Sequence, residues 1–119
     1  MKEQLLLRTK TFAHNTVDLA LELPNTYLGN HIKGQLIRCS TSVAANYRAA
    51  CLGQSKKAFV AKLSIVIEEA DESIFWIEFL VKRQFLTKER ANISLSEAKE
   101  LTSIFVASRK TIYNQINNN

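Results

Sequence analysis

Apolar residues recur along this chain at helical rather than strand spacing, and they do so in four stretches. Over residues 4–23, Leu5, Phe12, Leu19 and Leu23 share one side, with the small Ala20 beside them, as one face of a 3.6-residue period requires. Pro24 stops this first helix because it has no N–H for the next turn. Asn25 and Thr26 supply turn and capping chemistry. The spacing predicts a second helix over 28–52, starting between Thr26 and Asn30. Its buried stripe is Ile32, Leu36, Cys39, Val43, Tyr47 and Ala50, and its other side carries the small Gly34, Thr41, Ala45 and Ala49. A small face lets another helix approach closely, from the same chain or from a neighbour. Gly53, free to adopt the left-handed conformation, is expected to end the helix.

The third helix, predicted over 55–83 and capped by Ser55, has the strongest pattern. Phe59, Leu63, Val66, Ile67, Ala70, Ile74, Ile77 and Val81 form a core stripe. A second apolar group, Ile65, Trp76 and Phe79, falls well away from it on a helical wheel. One buried face cannot cover both. Self-association through Ile65, Trp76 and Phe79, with Ala45 and Ala49 as a close-approach surface, is the economical expectation; the alternative makes Trp76 a rim residue. Residues 84–94 read as a polar connector. Ser94 or Ser96 is expected to cap a last helix over 95–114, Ser94 and Glu97 having capping-box spacing. Its inward face is Ala98, Leu101, Ile104, Phe105, Ser108 and Ile112, and Asn117–Asn119 reads as a frayed tail.

Four amphipathic helices with short connectors predict an all-α, antiparallel up-down-up-down four-helix bundle, one domain over residues 1–119. Composition agrees: among 119 residues, 3 Gly and 1 Pro are too few for a turn-rich β fold. The three consecutive leucines before Arg8 are too short for a signal-peptide core, and no apolar run reaches the ~18 residues of a membrane span. A cytoplasmic protein is expected. Cys39 and Cys51 lie twelve residues apart on one helix, about 18 Å along its axis, which excludes a bridge between them and predicts two reduced thiols.

Charge changes the picture more. The net charge of +5 lies in residues 1–58, while residues 59–119 balance 8 basic against 8 acidic side chains. A basic excess suits a polyanion partner, or simply a solvated surface. Lys33, Arg38, Arg48, Lys56 and Lys57, around the junction of helices two and three, are the candidate phosphate contacts for RNA or DNA.

Catalytic chemistry finds less support. Glu68, Glu69, Asp71 and Glu72 could build a carboxylate metal site only with Glu-x-x-His pairs, and neither His14 nor His31 has a Glu three residues before it. Pairing of these acids with Arg38, Arg48, Lys56 or Lys57 is the plainer reading, with Arg38, Glu69 and Glu72 candidates for a rim or subunit-interface ion pair. Neither histidine has a clear carboxylate partner to orient it toward a nucleophile. There is no phosphate-binding glycine loop and no zinc-knuckle spacing. No enzyme activity, metal or cofactor is expected.

The run Leu23-Pro24-Asn25-Thr26, the segment QLIRCSTSVAANYRAACLGQSKKAF, and the helix carrying EEADES, FW and EFL together resemble the four-helix bundle family encoded in intervening sequences of bacterial 23S rRNA genes. Arg38, Ser42, Val43 and Asn46, then Ser55 and Phe59, match its second-helix signature and third-helix start, and the likeness spans about residues 5–115. It implies a left-handed bundle that assembles as a homopentamer, without an established molecular role. Related bundles serve diversity-generating retroelements, binding a reverse transcriptase and nucleic acid through basic surface. Many members carry a Glu-Gly pair where this chain has Ala49 and Ala50, so no role of that glutamate transfers here.

Overall fold

In the computed structural model, which describes residues 1–118, the chain forms four α-helices and no strand among those residues. They are α1 (Lys2–Leu21), α2 (Tyr27–Cys51), α3 (Lys56–Lys82) and α4 (Lys88–Asn117). Asn119, the end of the expected frayed tail, lies outside the described residues. The molecule measures 52 × 22 × 20 Å. Helices adjacent in sequence are adjacent in space, and α4 returns beside α1. Cross-helix pairs run in opposite numerical order, Arg8 with Glu97 and Glu22 with Arg90, Ser64 with Arg109 and Glu78 with Lys99. α4 therefore runs antiparallel to both α1 and α3.

Each connector ends in a hydroxyl cap. Thr26 accepts from the Gly29 N–H (3.0 Å), Ser55 from Ala58 (3.0 Å) and Thr87 from Arg90 (3.1 Å), satisfying donors that a helix start leaves orphaned. The first two caps agree with expectation. The third corrects it: α4 begins at Lys88, seven residues before the predicted start, and neither Ser94 nor Ser96 caps it. Ser94 is buried inside the helix and Glu97 bonds Arg8. The polar run from Lys88 to Asn92 hides one inward position, Ala91, which is fully buried.

A second correction concerns the turns. Gly53 does not take a positive φ; among the described residues that conformation falls on Gln84, at φ 64°, just past α3. Gly53 serves by its missing side chain, since a Cβ there would lie 3.1 Å from the Ala50 carbonyl oxygen. Gly29 is more constrained: a Cβ would meet the Pro24 carbonyl oxygen at 2.1 Å.

The core has two apolar lobes. Phe12, Val43, Tyr47, Leu63, Leu101 and Phe105 fill the one nearer the α2–α3 turn, with the Tyr47 and Phe105 rings 5.0 Å apart. Leu19, Ile32, Leu36, Cys39, Ile77 and Leu80 fill the other. The six-residue α2 stripe read from the sequence is buried throughout. On α3, Phe59, Ile74 and Val81 reach only half-burial at the edge of that core. Buried hydroxyls occur as well, on Thr9, Thr16, Ser40, Ser73 and Ser94, and no buried side-chain N or O among the described residues lacks a partner.

Candidate functional site

The outward side of α3 is the first surface its own bundle leaves uncovered. Ile65 is 38% exposed and Phe75 55%, while Trp76 and Phe79 are half-buried. Helical spacing puts these four on one side. Phe75 and Phe79 stack at 6.1 Å, and Trp76 meets both rings edge-on. Trp76 leans toward α2, where its ring lies 5.8 Å from that of His31 and its indole N–H donates to Glu72 (3.3 Å). Phe75, the most exposed of the group, is absent from the sequence-based interface set. Its signal was available: Phe75 stands four residues before Phe79 on the same helical face.

The acidic group of α3 divides by direction. Glu69 and Glu72 turn to α2, where Arg38 donates to both, at 2.8 Å to Glu69. Hydrogen bonding to Glu72, then the field of both carboxylates, raises the Arg38 pKa above its ordinary value. The expected rim ion pair thus forms within one chain. Glu68 and Asp71 face outward on the side of Phe75, with no ion-pair partner among the described residues.

A second open surface is the groove between α1 and α2. It encloses about 720 Å³ and is lined by Leu6, Leu7, Ala13, Val17, Ala44 and Ala45, with Lys10, His14 and Arg48 around them. Ala45 and Thr41, two members of the small face of α2, are exposed in it, and nothing lies within 4 Å of where a Gly34 Cβ would be. Ala49, at the other edge of that face, is half-buried.

The candidate phosphate contacts do not form one cluster. Arg48, Lys56 and Lys57 lie together at the α2–α3 end. Lys33 is fifteen residues before Arg48, about 22 Å along the helix, and Arg38 is engaged by its two carboxylates. The fold adds basic residues that the linear reading missed. From Ala45 to Ile67 the chain carries Arg48, Lys56, Lys57 and Lys62 and no acid; from Leu101 onward it carries Arg109 and Lys110 and no acid. Antiparallel packing brings these two stretches to one end, with Arg109 donating to Ser64 (3.3 Å). The positive charge is thus gathered by end of the bundle rather than by half of the chain.

Reactive groups are set apart from one another. Among the described residues, no three His, Cys, Asp or Glu side chains converge as metal ligands. His14 faces the α1–α2 groove, whose lining includes no carboxylate, and His31 faces Trp76. Both cysteines are free thiols. Cys39 is fully buried beside the Ser73 hydroxyl (3.2 Å), and burial pushes its thiol pKa up, away from the nucleophilic thiolate. Burial likewise raises the Tyr47 phenol, with the Cys51 thiol adding to the effect.

The sequence model of a family described as "23S rRNA-intervening sequence protein" matches residues 3–107, most of the chain, from α1 into the last helix. The chain belongs to this family. The crystal structure of a protein of unknown function from the S23 ribosomal protein family of Bacteroides thetaiotaomicron is similar to it. That neighbour has a TM-score of 0.83 and 28% identity, over 89% of this chain and 98% of the other. Comparison with curated proteins gives no match.

Within this member of the 23S rRNA-intervening sequence family, the second-helix signature has a structural reading. Val43 is in the core. Asn46 donates to the Ser42 carbonyl (3.0 Å) and hydroxyl (2.7 Å), one turn back, and Arg38 ties α2 to α3. No described helix of this family member is long and apolar enough to cross a membrane.

Proposed function

We propose that this chain is a non-enzymatic scaffold that works as a homo-oligomer in the cytoplasm. One observation carries the reading: α3 keeps Ile65, Phe75, Trp76 and Phe79 on an outward side that its own bundle leaves partly bare. An apolar patch of aromatic residues on a small domain marks an interaction surface. The pentamer implied by the family resemblance is the expected size. Native mass spectrometry and light scattering test it. The expected result is a discrete oligomer that Trp76→Ala or Phe75→Ser weakens while far-UV dichroism holds. A monomer at tens of micromolar would overturn the reading.

The basic end favours a second reading, an accessory protein that binds RNA or DNA beside a reverse transcriptase or another nucleic-acid-handling partner. Lys56 and Lys57 occupy the first turn of α3, which has no acid. There they oppose the positive end of the helix dipole, an arrangement that costs roughly 0.3–1 kcal/mol per charge. Local rules are broken in this way at surfaces kept for a partner. Arg48, Lys62, Arg109 and Lys110 join them at that end, whereas Lys33 and Arg38 contribute less on this reading. Short RNA and DNA should be retained at low salt and released steeply as salt rises, and Lys56→Ala with Lys57→Ala should weaken retention. No retention even at low salt removes this reading.

A further inference from the structure

The geometry points to a head-to-tail contact in which the acidic, aromatic ridge of α3 seats in the basic α1–α2 groove of a second copy of this chain. The inference rests on the self-assembly reading and names the two surfaces that meet. Shape is the first argument. Phe75 and Ile65 project from a convex helix face, while the groove, about 720 Å³, has small Ala13, Ala44 and Ala45 among its lining residues. Bulky side chains packing over small ones is what close helix approach needs.

Charge is the second argument, independent of the first. Arg8, Arg38, Arg90 and Lys99 all pair with acids across the seams of their own bundle. Glu68 and Asp71 on the ridge have no such partner among the described residues, and neither do Lys10 and Arg48 in the groove. The ridge is acidic and the groove basic. Opposite charges on two open apolar surfaces steer them together, and like charges oppose the alternatives. A two-fold contact of ridge on ridge would set Glu68 and Asp71 against their own copies; groove on groove would do the same with Lys10 and Arg48.

Position is the third. α3 packs on α2 and α4 and stands diagonally across from α1. A copy that uses its ridge therefore keeps its groove free. Such a heterologous contact repeats from copy to copy, closing into a ring when the rotation per step allows and otherwise growing.

Charge reversal tests the pairing, read by light scattering across a dilution series, with dichroism confirming that each variant is folded. Arg48→Glu and Glu68→Arg are each expected to raise the concentration at which the oligomer dissociates by about tenfold or more. Carrying both changes in one chain should restore assembly, because every copy then offers a complementary ridge and groove. Lys10→Glu is the second groove variant. An oligomer indifferent to both groove changes, or one disturbed only by Glu68→Arg, overturns the ridge-in-groove contact while leaving self-assembly standing. A wild-type monomer overturns both.

Discussion

The α2–α3 seam and the α1–α4 seam close the same bundle by different means. Along α2–α3, Leu36, Cys39, Val43, Ala70 and Ile77 are all fully buried; the Cys39–Ser73 contact is the polar interruption inside that apolar stripe, and Arg38 with Glu69 and Glu72 borders it at the rim. Along α1–α4 the backbones stay close over much less of their length than in any other neighbouring pair. Hydroxyls take part there: Thr16 donates to Ser94 at 3.2 Å inside the protein. Ion pairs clasp the same seam, Arg8 with Glu97 and Glu100 along one stretch, Glu22 with Arg90 nearer the α1–α2 corner. The first and last helices close the bundle late in the chain, through matched polar groups that favour one register. The central pair is held mainly by area, with one arginine clasp at its rim, and area rewards burial without choosing among registers so sharply.

Substitutions can break or sharpen that contrast. The largest effect belongs to the apolar seam. Ile77→Ala should cost about 2–5 kcal/mol in denaturant unfolding, the range for emptying a fully buried site. The hydroxyl seam comes next. Thr16→Val leaves Ser94 buried without its partner and should cost about 1–3 kcal/mol, whereas Thr16→Val with Ser94→Ala should be nearer neutral. An equal loss in the single and double variants would show that the hydroxyl pair does not set the seam. Smallest is the clasp: Arg8→Ala should cost about 0.5–1 kcal/mol and progressively less as salt is added, because Arg8 and Glu97 are partly exposed.

The same contrast explains what was legible in the sequence. The apolar stripes of α2 and α3 follow from periodicity, because burial by area needs only residue type at regular spacing. The α1–α4 seam needs partners far apart in the chain, Thr16 with Ser94 and Arg8 with Glu97, and a linear reading shows neither. That is why Ser94 looked like a cap: at a helix start and in a polar seam, serine presents the same hydroxyl. Arg38 with Glu69 and Glu72 was readable as an ion pair, but its placement within one chain required the packing of α2 on α3. The outward side of α3 was visible through Ile65, Trp76 and Phe79, though Phe75 is its most exposed ring. The basic end was only half visible, since Arg109 and Lys110 reach it by the antiparallel return of α4.

The corner between α1 and α2 carries a consequence for sequence variation. With the Pro24 carbonyl oxygen 2.1 Å from where a Gly29 Cβ would sit, and Thr26 spanning the two with its cap, the five residues from Glu22 to Thr26 act as a spacer of fixed length. Position 29 and the path of the chain at Pro24 are therefore bound to vary together. A natural variant with any side chain at 29 is expected to carry a rebuilt corner, through a different residue at 24 or a connector of another length, and alanine there alone should mark a destabilised chain.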